Sequence, residues 1–144
     1  MNGECLCGEI KFEIEGELPS FYQCHCSLCR KATGSASNTA TFVKTDSFRW
    51  LSGQSKISTF QKPTGYRNDF CSVCGSLVPN QLRDTGLVWV PAGLLNDETA
   101  SQISIHLHLS SSASWASESD GCVRLDGGSD SLESFNQALQ RPSR

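Results

Sequence analysis

Three cysteines fall within six residues at Cys24-His25-Cys26-Ser27-Leu28-Cys29, and two fixed positive charges, Arg30 and Lys31, follow at once. Thiolates at this spacing suit a soft metal ion, so the chemistry to expect is that of a zinc–thiolate centre. Cys5-Leu6-Cys7 and Cys71-Ser72-Val73-Cys74 form two further close pairs, and of the eight cysteines only Cys122 lies outside a cluster.

Counting ligands separates the clusters. A structural zinc takes four tetrahedral ligands, whereas a reactive zinc keeps three and leaves one position for water or substrate. Cys5, Cys7, Cys71 and Cys74 make a complete set, expected to hold a structural zinc whose removal unfolds the domain. Gly75 behind this pair suits a left-handed turn that aims backbone amides at sulfur. Cys24, Cys26 and Cys29 make an incomplete set. If residues 24–26 are extended, His25 points away from the face shared by Cys24 and Cys26, so it is expected to bond a nearby carboxylate or carbonyl instead of the metal. His106 and His108 stay open as fourth ligands from another strand, against their reading as polar strand residues.

Three thiolates donate strongly and make zinc a poor Lewis acid for water, and softness then favours a fourth sulfur. Such a site should bind an incoming thiol, remove its proton and hold the nucleophilic thiolate ready for a small electrophile. Arg30 and Lys31 are placed to offset the cluster's negative charge, and Arg67 to fork onto a carboxylate of the thiol compound. Arg30 and Arg67 are thus the candidate thiol-binding residues.

Short strands must position these groups. Ile10, Phe12 and Ile14 alternate with charged neighbours as one half-buried strand, and residues 36–43, 48–50, 57–60, 87–90 and 103–109 read as further strands broken by Gly53 and Pro63-Thr64-Gly65. In the last of them Ile103, Ile105, Leu107 and Leu109 would share one face, with Ser104, His106, His108 and Ser110 on the other. Ser27 to Thr33 fits one or two helical turns ended by Gly34 in a left-handed cap. Asp130 is expected to cap a C-terminal helix carrying Leu132, Phe135 and Leu139, with Glu133 completing a capping box and Pro142 stopping the helix.

The whole chain, 144 residues, reads as one domain (1–144), its core spanning about 3–125 and a C-terminal extension 126–144. A net charge of -3 and a pI near 5.5, without a long basic run, disfavour a nucleic-acid partner. With no signal-like or membrane-spanning apolar stretch, no membrane partner is expected and the location expected is cytoplasmic, where a reducing milieu favours metal over disulfides.

The residues resemble the glutathione-dependent formaldehyde-activating enzyme family, related to centromere protein V. The resemblance rests on Cys5-Leu6-Cys7-Gly8, on Cys24 through Ser35, on Phe48-Arg49-Trp50, Gly65 and Arg67, on Phe70 through Ser76, on Ala92-Gly93 and on His106 to Trp115. It covers nearly everything from Cys5 to about Gly121, and departs from the usual pattern at Ser37, Ser112, Ser114 and Cys122 to Leu125; since Cys122 takes a position the family keeps apolar, the resemblance implies a small buried hydrophobe there and not a ligand. It implies an all-β fold of small antiparallel sheets in a β-tent around a structural zinc, with a second, catalytic zinc on Cys24, Cys26 and Cys29. It also implies a carbon–sulfur lyase of the S-(hydroxymethyl)glutathione synthase type, joining glutathione to formaldehyde or another small aldehyde, with two Zn(2+) per chain. A non-catalytic zinc-stabilised binding or chaperone-like module is the alternative.

Overall fold

The computed structural model describes residues 1–96, 98–118 and 120–140. Among them the chain forms strands β1 (Asn2–Glu4), β2 (Lys11–Ile14) and β3 (Phe21–Cys24), helix α1 (Ser27–Thr33), then β4 (Asn38–Lys44), β5 (Phe48–Ser52), β6 (Ile57–Gln61) and β7 (Arg67–Cys71). β8 (Asn80–Leu82), β9 (Leu87–Pro91), β10 (Ile103–Leu107) and helix α2 (Leu132–Leu139) follow. The expected stop at Pro142 lies outside the described residues. None of the helices among the described residues is long and apolar enough to cross a membrane.

The strands build three small sheets, ordered β1-β2-β5, β10-β3-β4-β9-β8 and β6-β7. Alternation along β2 puts Phe12 and Ile14 on one face, where both are fully buried with Val43, Val88 and Val90 from β4 and β9. One face of the five-stranded sheet therefore packs on the three-stranded sheet. Its other face carries Tyr22, Asn38, Phe42, Asn80 and Trp89, which are in phase by strand periodicity and by the pairings Phe42–Trp89 and Asn80–Trp89. The fold thus turns a polar and aromatic sheet face toward open space.

The sheets are antiparallel with one exception: β10 runs parallel to β3, pairing Ile103 with Phe21 and Leu107 with Cys24. Alternation sets which face a side chain takes and carries no information on strand direction, so this one parallel pair within the expected small antiparallel sheets is a finding of the structure. β10 is also an edge strand whose Ile103, Ile105 and Leu107 remain substantially exposed, and it ends early because His108 takes a left-handed φ of 58°. Leu109 and Ser110 consequently leave the strand for a 3-10 turn.

The chain divides into two compact units, Met1–Ser112 and Ala113–Arg144. Within the second unit α2 is capped by Ser131, whose hydroxyl accepts from the Ser134 amide at 3.0 Å, and not by Asp130. Ser131 has the extended backbone a cap requires, and its serine three residues ahead replaces the expected capping box. Cys122 is exposed, contrary to its reading as a buried hydrophobe.

Candidate functional site

The first cysteine set joins two chain segments. Cys5 follows β1 and Cys7 ends the turn beyond it, while Cys71 closes β7 and Cys74 sits in the turn after it. The four Sγ atoms all lie within 4.8 Å of one another. Cys5 and Cys7 sulfurs are 3.6 Å apart and those of Cys7 and Cys71 3.8 Å. Four sulfurs at the ~2.3 Å bond length of tetrahedral zinc would be separated by about 3.8 Å, so the donor set fits such an ion, whereas a disulfide needs roughly 2 Å. Gly75 takes the expected left-handed conformation at φ 80°, letting Ser76 turn back onto the site. The Ser76 hydroxyl, 3.3 Å from Cys74 Sγ, and the Ser76 amide hold the Cys74 thiol down at about 5. The Ile10 amide donates to Cys5 Sγ at 3.4 Å.

Cys24, Cys26 and Cys29 also bring their Sγ atoms within 4.8 Å of one another. Here β3 delivers Cys24 and α1 delivers Cys29, and Cys26 is the N-cap between them. Its sulfur accepts the Cys29 amide at 3.4 Å, and Gly34 ends the helix at φ 63°, the left-handed cap read from the sequence. Burial, then hydrogen bonding with the Cys24 and Cys26 sulfurs, pushes the Cys29 thiol well up. Burial also opposes ionisation of Cys26, but the Cys29 amide and the Cys24 and Cys29 sulfurs outweigh it and lower that thiol. Such splitting reflects sulfurs too close to ionise together unless a cation sits among them. Both cysteine sets thus have the donors and spacing to hold a metal ion, and a soft ion such as zinc matches them.

The three histidines do not join the triad's sulfurs. His25 Nε2 lies 3.0 Å from His106 Nδ1 and shares a hydrogen bond with it, while the His25 amide donates to Leu107 O at 2.9 Å. His25 therefore faces away from the sulfurs as expected, but its partner is another imidazole and not a carboxylate or carbonyl. The parallel pairing of β10 with β3 supplies that imidazole. His25 Nδ1 is buried and takes no hydrogen bond among the described residues.

Beside the triad lies a cavity of about 450 Å³, with Cys29 in its wall. Its floor is the outward face of the five-stranded sheet, and the β6–β7 hairpin forms the opposite side through Gln61, Tyr66, Arg67 and Asn68. The Trp89 indole N–H donates to the Tyr22 hydroxyl at 2.7 Å, and the Tyr22 ring stacks on Phe42. Burial pushes Tyr22 up to about 12, against the lowering effect of the Trp89 hydrogen bond and with a smaller contribution from the nearby Cys29 and Cys24 sulfurs. Burial and the Cys29 sulfur raise Tyr66 similarly to about 12. Both phenols thus stay protonated as donors near Cys29.

Arg67 lies in the cavity wall, but Asp69 occupies two edges of its guanidinium at 2.9 and 3.0 Å. Arg30 does not line the cavity, and its Nε is buried without a hydrogen bond among the described residues. Sequence reading passed over Tyr22, Asn38, Tyr66, Asn80, Arg83 and Trp89. Tyr66 and Arg83 each flank a turn, and only strand order brings them to one place.

A sequence profile of the family described as glutathione-dependent formaldehyde-activating enzyme matches residues 1–111. The crystal structure of a Rhodobacter sphaeroides protein aligns with a TM-score of 0.57 at 23% identity, covering 72% of this chain and 100% of that one, which establishes a common fold. A search of curated proteins returns no match.

Proposed function

Since the chain belongs to the glutathione-dependent formaldehyde-activating enzyme family, we propose that it is a zinc-dependent carbon–sulfur lyase that reversibly joins glutathione, or a similar thiol, to formaldehyde or another small aldehyde. One observation carries this reading: the three-sulfur set opens, through Cys29, on a cavity large enough for a small thiol. The four-sulfur set is complete and suits a structural ion.

Zinc at Cys24, Cys26 and Cys29 would supply a soft coordination position that favours a thiolate over a thiol at neutral pH. The chain's own part is to orient and shelter the reactants. The walls beside Cys29 direct the thiol's remaining atoms into the cavity, and Tyr22, Phe42 and Trp89 exclude water along the sheet face. In the joining direction the thiolate sulfur forms a bond to the carbonyl carbon. The carbon–oxygen π pair moves onto oxygen, which takes a proton to complete the S-hydroxymethyl product. The Tyr66 and Tyr22 hydroxyls are the donors closest at hand to steady the developing oxyanion. In reverse the same oxygen loses its proton, the carbon–sulfur bond breaks and the aldehyde leaves.

The test pairs zinc analysis with formaldehyde consumption in the presence of glutathione, for wild type and Cys24→Ser. The reading expects two zincs per chain in wild type, one in the variant, and catalysed consumption by wild type alone. Zinc-loaded protein that binds glutathione but never accelerates its reaction with formaldehyde would instead be a binding module.

A further inference from the structure

We propose that β10 is an interaction edge and that its occupant is a second copy of this chain, joined strand to strand in an antiparallel pair. The five-stranded sheet has two edges, β10 and β8. β8 is three residues long and carries Asn80 and Gln81, and so short and polar an edge invites no partner. β10 spans Ile103–Leu107 and is exposed along its whole length. Ile103, Ile105 and Leu107 keep 43, 53 and 40% of their surface open, and among the described residues no strand pairs with the outer side of β10. Edge strands are ordinarily guarded by charged side chains, above all lysine, or by proline. Neither guard is present here: no Lys, Arg, Asp, Glu or Pro occurs anywhere from Thr99 to Ser117.

Charge and register both select the chain itself as the occupant. The molecule carries a net charge of -3, which holds copies apart in general, yet this stretch adds nothing to that repulsion. An uncharged edge likewise gives a charged foreign segment no electrostatic hold. The His25 amide bonds the Leu107 carbonyl, so alternation turns the amide and carbonyl of His106 outward. Ser104 is passed over where the register with β3 shifts. In an antiparallel pair with a two-fold axis at Ile105, Ser104 of each copy exchanges hydrogen bonds with His106 of the other. The two Ile105 side chains then meet in the closer, non-hydrogen-bonded position. Ile105 and Leu107 pair with Tyr22 and Cys24 and so share their sheet face. The dimer therefore closes an apolar cluster from Ile105 and Leu107 of both copies, and both three-cysteine sets lie on the same side of one continuous sheet.

The experiment is sedimentation velocity on the zinc-loaded full chain over about a hundredfold range of concentration, since a monomer–dimer balance follows mass action. It compares wild type with Ile105→Lys and with Leu51→Lys, which places the same charge on an exposed leucine of β5. Wild type and Leu51→Lys should dimerise as concentration rises, whereas Ile105→Lys, with wild-type zinc content, should need a concentration at least about tenfold higher. Hydrogen exchange of wild type, read by mass spectrometry, needs no variant: amides of Ile103–Leu107 should exchange more slowly as protein concentration rises, and those of β8 should not. Should Ile105→Lys fail to hold zinc, the exchange measurement decides alone. Wild type that stays monomeric throughout, dimers that survive Ile105→Lys, dimers lost equally in Leu51→Lys, or β10 exchange indifferent to concentration overturns the proposal.

Discussion

Arg67 clasps Asp69 through two parallel hydrogen bonds, Nε to Oδ1 at 2.9 Å and Nη2 to Oδ2 at 3.0 Å, and the Thr59 hydroxyl adds a third to Oδ1 at 2.8 Å. Asp69 is 6% exposed, so its charge depends on these partners. Arg67→Gln should destabilise the protein by about 1–3 kcal/mol, less than a fully buried pair would because Arg67 is partly solvated. Denaturant unfolding of the zinc-loaded protein measures the loss, and an unchanged midpoint would show that Asp69 finds other support.

Cys71→Ser should abolish the compact fold. Its sulfur is completely buried within the four-cysteine set. Apparent binding energies of such zinc sites, of order 10 kcal/mol, rival the stability of a whole domain. Circular dichroism and zinc analysis check this together; a folded variant with its full zinc content would remove Cys71 from the site.

Cys26→Ser separates metal from fold at the triad. Serine is a good N-cap, so α1 should persist while the soft ligand is lost. One zinc per chain instead of two is expected, with a midpoint of thermal unfolding close to wild type and thiol addition reduced to the uncatalysed rate. Joint loss of helix and both zincs would contradict an independent second site.

Acid should release metal from the four-cysteine set. Cys74 has a folded value of about 5 against an ordinary 9.0. A depressed value contributes stability fully above the ordinary one, and that contribution is lost as pH falls through the folded one. Protons compete with the metal in the same direction. Zinc appearing at an indicator as pH is lowered would follow this order; retention that is flat with pH would not.

A chain ending at Ser112 should keep both zincs and its glutathione affinity, since every residue assigned to the two cysteine sets and the cavity precedes that point. Zinc content and calorimetry on the shortened chain test this. Loss of the fold would make the second unit part of the domain's stability.

Both cysteine sets were readable in the sequence because their spacings are local: C-x-C and C-x-x-C declare themselves without knowledge of topology. Gly34 and Gly75 were legible for the same reason, since each marks a turn in its own neighbourhood. The cavity was not. Tyr22, Asn38, Asn80 and Trp89 meet only because β3, β4, β9 and β8 are adjacent, and two-residue alternation records a face without naming its neighbours. The parallel direction of β10, and with it the partner of His25, was not legible on that ground. Arg67 was read as a fork for a ligand carboxylate, but Asp69, two residues on, answers its charge first.

Trp89 lies in the cavity wall with its indole N–H on Tyr22. Indole emission responds to hydrogen bonding and to the polarity around the ring, and a ligand entering beside Cys29 alters both. The molecule therefore contains its own optical gauge of cleft occupancy, so that binding can be followed in unlabelled protein by fluorescence.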